Sequence, residues 1–320
     1  MEEVDQGGAE FTLAHLSDVH LSPLPKLDLR HWNLKRLLGW LNWQHRRRHV
    51  YSRDVLDRLV EDLRAQNPDH IAVTGDLANL GLPVEHAIAL DWLGTLGTPD
   101  CVTVIPGNHD IYSGIGADIG TARWLPHMSA NSAAADYAIA EALSGAHSFP
   151  FVRRFGRLAI IALNSAVPTR PMYAIGRLGP EQLRRLASIL DRLGAEGMMR
   201  VVLIHHPPLP GLSKKRHDLK DADALADVLA RHGAELVLHG HEHREMLAWH
   251  PTPTSRIPIV GVPSASLAIA YKDEPLARYN LYRLQPGANR PRIEMIARGL
   301  AEPNGPIVEL ARKWIEPNPA

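Results

Sequence analysis

The sequence predicts an α/β fold, a four-layer α/β/β/α sandwich in which two mixed sheets stack face to face between helices. Three observations predict it. Short apolar, β-branched runs alternate with stretches of helical periodicity from residue 11 to residue 238. The last such runs follow one another without intervening helices, which argues for antiparallel pairing near the end of the chain. The side chains able to bind metal fall where apolar runs stop, at the strand carboxyl ends where open α/β sheets place ligands.

Residues 11–17 read as the first strand, ending in Asp18-Val19-His20. Side chains alternate on an extended chain, so Asp18 and His20 are expected on one side and Val19 on the other. Residues 21–50 form an insert of another kind. Lys26, Arg30, Lys35, Arg36, Arg46, Arg47 and Arg48 stand there against one acid, Asp28, interleaved with Trp32, Trp40, Trp43 and several leucines. Such a cationic amphipathic helix or hairpin reads as a lid whose tryptophans pack on the body while its arginines are solvated. The sharper reading of residues 26–48 is a surface that guides an anionic substrate or lies against a membrane.

Ser52 caps a helix with Val55, Leu56, Leu59, Val60 and Leu63 at helical spacing, closed by Asn67-Pro68. Residues 70–74 are a second strand running into Gly75-Asp76, and Leu82-Pro83 opens a helix to about residue 96. The third strand, residues 101–105, is apolar on both parities, as for a strand buried on both faces. Pro106-Gly107 ends it before Asn108-His109-Asp110. Cys101 reads as a small buried hydrophobe of that strand. Residues 111–150 form an irregular insert with an Ala-rich helical piece near 131–143.

A fourth strand spans 158–165. The helix opened by Gly179-Pro180-Glu181 carries Leu183, Leu186, Leu190 and Leu193 on one stripe and is closed by Gly194. Residues 200–204 lead into His205-His206-Pro207-Pro208. A helix over about 221–231 ends at Gly233, and residues 235–238 lead into His239-Gly240-His241-Glu242-His243. Strands follow at 257–262, 279–284 and 292–298, read as an antiparallel meander. Residues 1–300 are read as one domain and 301–320 as a tail.

Lys plus Arg equals Asp plus Glu, 35 against 35, so no overall field points to nucleic acid. A single cysteine fits a reducing compartment. The acidic N-terminus and the lack of an 18-residue apolar window predict neither signal peptide nor spanning helix, hence a cytoplasmic protein, peripheral at most to the inner membrane face. The 18 histidines against 7 tyrosines and 4 phenylalanines direct attention to metal chemistry.

Asp18, His20, Asp76, Asn108, His205, His241 and His243 each end or follow an apolar run. Four imidazoles and three carboxylate or amide oxygens suffice for two ions if one carboxylate bridges, and that donor set suits Zn, Fe, Mn or Ni. Two such ions would hold a shared hydroxide and polarise a phosphoryl group. His15 and His239 read as hydrogen-bonded structural histidines.

The order Asp-x-His, Gly-Asp, Gly-Asn-His-Asp, His and Gly-His-x-His resembles the calcineurin-like metallophosphoesterase superfamily, with all five blocks intact over residues 13–243. The resemblance implies one ion on Asp18, His20 and His243, another on Asn108, His205 and His241, and Asp76 as the bridge. In the doublet it favours His205, which starts a His-x-Pro turn. It implies His109 as proton donor to the leaving oxygen, with Asp110 orienting its ring. Leu77-Ala78-Asn79 replaces the Asp-Arg-Gly of protein Ser/Thr phosphatases, and the chain is more similar to the bacterial cyclic-nucleotide phosphodiesterase branch. The expected reaction is phosphodiester hydrolysis by in-line attack of a metal-bridging hydroxide, with two ions, Mn and/or Fe first and Zn or Ni next. A cyclic nucleotide is the expected substrate; a lipid-linked diphosphate is the alternative that the insert favours, ahead of a DNA nuclease or a metal-free scaffold.

Overall fold

The structure, a computed structural model, describes residues 10–26, 28–112, 119–137, 149–286 and 291–316. The first sheet begins with β1 (Phe11–Leu16). The insert follows as α1 (Leu34–Asn42), a π-helical turn (Trp43–Arg47) and one further turn, α2 (Arg48–Val50). Then come α3 (Arg53–Ala65), β2 (His70–Val73), α4 (Pro83–Leu96) and β3 (Val102–Val104). Two 3-10 stretches, Gly120–Met128 and Ser132–Tyr137, precede the second sheet's strands. These are β4 (Phe151–Phe155), β5 (Leu158–Ala162), β6 (Met199–Leu203), β7 (Leu236–His239), β8 (Met246–Pro251) and β9 (Arg256–Gly261), with α5 (Pro180–Ala195) and α6 (Ala222–His232) between them. The chain returns to the first sheet with β10 (Arg278–Gln285), β11 (Arg292–Leu300) and β12 (Ile307–Trp314).

The strand orders are β12-β11-β10-β1-β2-β3 and β4-β5-β6-β7-β9-β8. Each sheet is mixed: β1, β2 and β3 run parallel and β10 pairs antiparallel to β1, while β5, β6, β7 and β9 run parallel between antiparallel β4 and β8. One core joins the layers, with Leu13, Leu16 and Val104 in the same cluster as Ile160, Leu203 and Leu238. Residues of opposite parity, Ile161, Val202 and Val237, pack under Leu186, Leu190 and Leu229 of α5 and α6. Each fully buried leucine contributes roughly 1.5–3 kcal/mol, so this double coverage fixes the sandwich.

Local signals explain the element ends. Ser52 Oγ accepts from Val55 N at 3.3 Å and caps α3. Buried Glu85 accepts from the amides of Asn79, Leu80 and Leu82 and ties down the loop that opens α4. Gly233, at φ 73°, terminates α6.

Several expectations need correction. Gly194 lies inside α5, and Gly197, at φ 66°, follows its end. Cys101 is exposed, since β3 begins one residue later. The third-last run, β9, does not join a meander; it pairs parallel to β7, because β8 intervenes and turns the chain back. Residues 307–314, read as part of a tail, form β12 on the edge of the first sheet. The Ala-rich piece is 3-10 over Ser132–Tyr137, and residues 138–148 lie outside the described residues. The insert is inverted relative to the lid reading: Lys35 and Arg36 are buried while Leu34, Leu37, Leu38 and Leu41 are exposed. No helix among the described residues is long and apolar enough to cross a membrane.

Candidate metal centre

Seven residues from five loops converge at one rim of the sandwich. Asp18 and His20 follow β1, Asp76 follows β2 and Asn108 follows β3; His205 follows β6, and His241 and His243 follow β7. The first sheet therefore brings its oxygen donors and one imidazole to three imidazoles from the second. Asp18, His20, Asp76, His241 and His243 all have φ between 43° and 73°. Asp18 and His20 thus converge through left-handed backbone and not through the extended alternation expected of a strand end. Five non-glycine residues in that region, each costing about 1–3 kcal/mol, mark backbone held in place by its surroundings.

The glycines of the motifs have a steric cause. A Cβ on Gly107 would lie 2.2 Å from Asp76 Oδ1, and one on Gly240 would lie 2.5 Å from Asp18 Oδ2. Both carboxylates press on backbone because they are fastened there: Asp76 Oδ1 accepts from His109 N at 2.7 Å and Asp18 Oδ2 from His241 N at 2.9 Å.

The outward side of each ring sets what it offers inward. His20 Nδ1 donates to Ala78 O at 3.1 Å, His205 Nδ1 to Thr74 O at 2.7 Å and His241 Nε2 to His217 O at 2.9 Å. The nitrogen facing the centre is then a lone pair in all three. His205 Nε2 lies 3.2 Å from His241 Nδ1, 3.2 Å from Asn108 Oδ1 and 3.6 Å from Asp76 Oδ2. His20 Nε2 lies 3.4 Å from His243 Nε2 and 3.9 Å from Asp76 Oδ2, and His243 Nε2 lies 3.1 Å from Asp18 Oδ1. Lone pairs that face one another in a buried site are what a cation would satisfy, and the two groups of donors share Asp76 Oδ2.

The titration of the site tells the same story. Burial and neighbouring charge, Arg47 for His20 and the other imidazoles for His241, hold those rings well below the usual imidazole range; burial also lowers His205. Burial and the Asp18 charge push the Asp76 carboxyl up to about 8. For Asp18, the adjacent His243 overrides burial and holds the carboxyl well below its ordinary value. For His243, Tyr51 and the Asp18 and Glu274 carboxylates override burial and hold the ring well above its own. Asp76 and His243 are thus the groups whose titration the close packing of buried donors raises, a donor set that fits metal ions.

The structure settles the neighbours of the doublet and of His109. His206 Nδ1 is hydrogen-bonded to Ser165 Oγ at 2.8 Å, while His205 alone of the two reaches Asn108 and Asp76. His15 and His239 stand outside the cluster, bonded to Thr74 Oγ1 and to the Gly240 carbonyl. Asp110 does not orient the His109 ring. Its oxygens are taken by the amides of Asp76, Ala78 and Gly107, so it braces the loops, and the Asn79 carbonyl holds His109 Nδ1 at 2.6 Å.

Three residues were missed as site residues. Arg47, from the insert, places Nη2 3.0 Å from His109 Nε2. Tyr51 OH and Glu274 Oε2 lie 3.3 and 3.1 Å from His243 Nδ1. The basic run 46–48 and the Tyr51 beside it were visible signals, whereas Glu274 sits in an ordinary-looking turn 31 residues past its partner.

The chain is similar to several known proteins. Over 189 residues the chain is 29% identical to a "Probable cyclic nucleotide phosphodiesterase" of Synechococcus sp., covering 58% of this chain and 62% of that protein. Over 98 residues it is 37% identical to a glycerophosphodiester phosphodiesterase of Enterobacter lignolyticus, covering 31% of this chain and 29% of that one. This chain therefore spans less than two thirds of the length of either relative. A dimetal phosphatase from Danio rerio shares the fold, with a TM-score of 0.56 at 13% identity over 94% of this chain and 98% of that one. The family model described as calcineurin-like phosphoesterase matches residues 11–245, and the chain belongs to that family.

Proposed function

We propose that the protein is a dinuclear metal-dependent phosphodiesterase acting on a small diester such as a cyclic nucleotide. The observation that carries this reading is the double group of inward lone pairs around the shared Asp76 Oδ2. Asp18, His20 and His243 would hold one ion, Asn108, His205 and His241 the other, and Asp76 both. The imidazole and oxygen donors suit Mn or Fe, with Zn or Ni next. Such ions would supply activation of a water and neutralisation of phosphoryl charge.

The remaining steps fall to the chain itself. Arg47, now donating to His109 Nε2, is placed to pair with a phosphoryl oxygen. Burial and the Arg47 charge hold His109 well below the usual imidazole range. Pairing of Arg47 with substrate removes that repulsion, so His109 can take up a proton and deliver it from Nε2 to the departing alkoxide while Asn79 O holds Nδ1–H. Glu274 and Tyr51 orient His243, and Asp110 braces the loops of Asp76 and Gly107.

The test is turnover with Mn²⁺ of bis(p-nitrophenyl) phosphate and a cyclic nucleotide, set against p-nitrophenyl phosphate and beside Asp76→Asn. Diesters should be preferred over the monoester, and the variant should lose metal and about 1,000-fold in rate. A variant that keeps both its metal and its rate would refute the reading.

A further inference from the structure

A surface helix of a globular protein turns its apolar stripe inward and its charges outward. Helix α1 does the reverse. Leu34, Leu37, Leu38 and Leu41, spaced i, i+3, i+4, i+7, are 65%, 39%, 38% and 38% exposed. The buried side carries Lys35, whose Nζ donates to Tyr112 O at 2.6 Å and Thr169 Oγ1 at 2.7 Å, and Arg36, which donates to the carbonyls of Leu80 and Gly81. These bonds fix the helix's rotation, so the outward leucines are held there and are not a frayed surface. The exposed row continues through the next turns as His45, Arg48 and His49, and residues 29–50 contain no acid.

A second observation lies beside the first. A cleft of about 600 Å³ is lined by Trp43, Arg48, His49, Arg53 and Ile269 among others, with Ile269 51% exposed. It joins cationic side chains to apolar ones, the mixture a phospholipid headgroup and its glycerol end require.

We propose that this face docks on an anionic phospholipid bilayer. The leucines enter the boundary of the acyl chains, Arg48 and His49 meet lipid phosphates, and the cleft receives a headgroup. A second copy of the chain is a poorer occupant, because a two-fold contact would set the acid-free run 29–50 against itself. The docked segment also carries Arg47, so the bilayer and the metal centre would communicate through one helical run. The inference does not rest on the proposed reaction.

The experiment is co-sedimentation of the full chain with vesicles of equal parts phosphatidylglycerol and phosphatidylcholine, and with phosphatidylcholine alone, at low and high salt. Binding is expected on the anionic vesicles, falling with salt and with loss of phosphatidylglycerol. Leu37→Glu/Leu41→Glu and, separately, Arg48→Glu should each lower the partition coefficient by about tenfold or more. Unchanged circular dichroism and an unchanged urea-unfolding midpoint would certify both variants as folded. No sedimentation of the wild type at low salt overturns the proposal, as does equal binding by the leucine variant. A dimer in sedimentation equilibrium that the leucine variant dissociates overturns it in favour of a second copy.

Discussion

The candidate metal centre and the helical insert touch through Arg47, yet they treat charge in different ways. In the candidate centre, Asp18, His20, His205 and His241 are tied from behind by backbone groups, His243 by Tyr51 and Glu274, and all are aimed at a common point. In the insert, Lys35 and Arg36 are buried and donate to carbonyls and a hydroxyl, and what faces outward along α1 is leucine. Buried charge in the centre is poised for a ligand; buried charge in the insert is an anchor. The comparison teaches that burial of a polar group alone does not mark chemistry. Convergence of unsatisfied lone pairs does.

The sharpest way to break that contrast is the doublet. His205→Ala should remove one ion and lower turnover by about 1,000-fold, whereas His206→Ala, which loses the bond to Ser165 and the ring contacts with His205 and His241, should stay within about tenfold. Metal content and kcat of the two proteins decide it, and equal losses would mean that the centre extends to His206. Arg47→Ala tests whether the insert contributes to chemistry. It should lower kcat/KM for a diester by about 10- to 100-fold with metal content unchanged, and Arg47→Lys should recover only part, since a lysine cannot present a planar fork. An unaltered Ala variant would make the insert purely a covering.

The smallest effect concerns a half-buried ion pair outside both regions. Asp62 of α3 accepts from Arg298 at 2.7 and 2.8 Å and from Tyr279 at 2.6 Å, linking the helix to β10 and β11. Burial pushes the Asp62 carboxyl up, but the Arg298 and Tyr279 hydrogen bonds and the Arg298 charge outweigh it, leaving the group below its ordinary value. A carboxyl depressed on folding stabilises above its unfolded pKa, and that contribution is lost as pH falls through the folded one. Asp62→Asn should therefore cost about 1–2 kcal/mol in urea unfolding at pH 7, allowing for solvent at this half-buried site, with the difference shrinking below about pH 4. Activity per folded molecule should not change. A constant difference down to pH 3 would contradict the assignment.

The convergence of the candidate residues was legible because they punctuate apolar runs, and a strand end delivers a side chain to the same rim whatever lies between strands. The helices with a cap or an N-terminal proline, α3, α4 and α5, were legible for equally local reasons. What escaped was decided by tertiary contacts. Phe151–Phe155 and Met246–Pro251 alternate too little to announce strands, and β12 is half exposed at an edge, so its polar residues read as a tail. Asp110 sits beside His109 in sequence, but its oxygens turn to three amides of neighbouring loops, a choice that adjacency cannot reveal. In the insert the helical period was visible, but which stripe faces inward was not, because the carbonyls that attract Lys35 and Arg36 come from loops forty to eighty residues downstream.

The centre is also stitched across the sandwich, with Thr74 O of one layer receiving His205 of the other and Asp18 Oδ2 receiving the amide of His241. The two layers cannot part without dispersing the site. Cations seated there would act as rivets: at a hundredfold excess over Kd, binding only to the closed sandwich adds about 2.7 kcal/mol to its resistance to unfolding. Starved of metal, the same molecule would keep its hydrophobic filling but lose its fasteners.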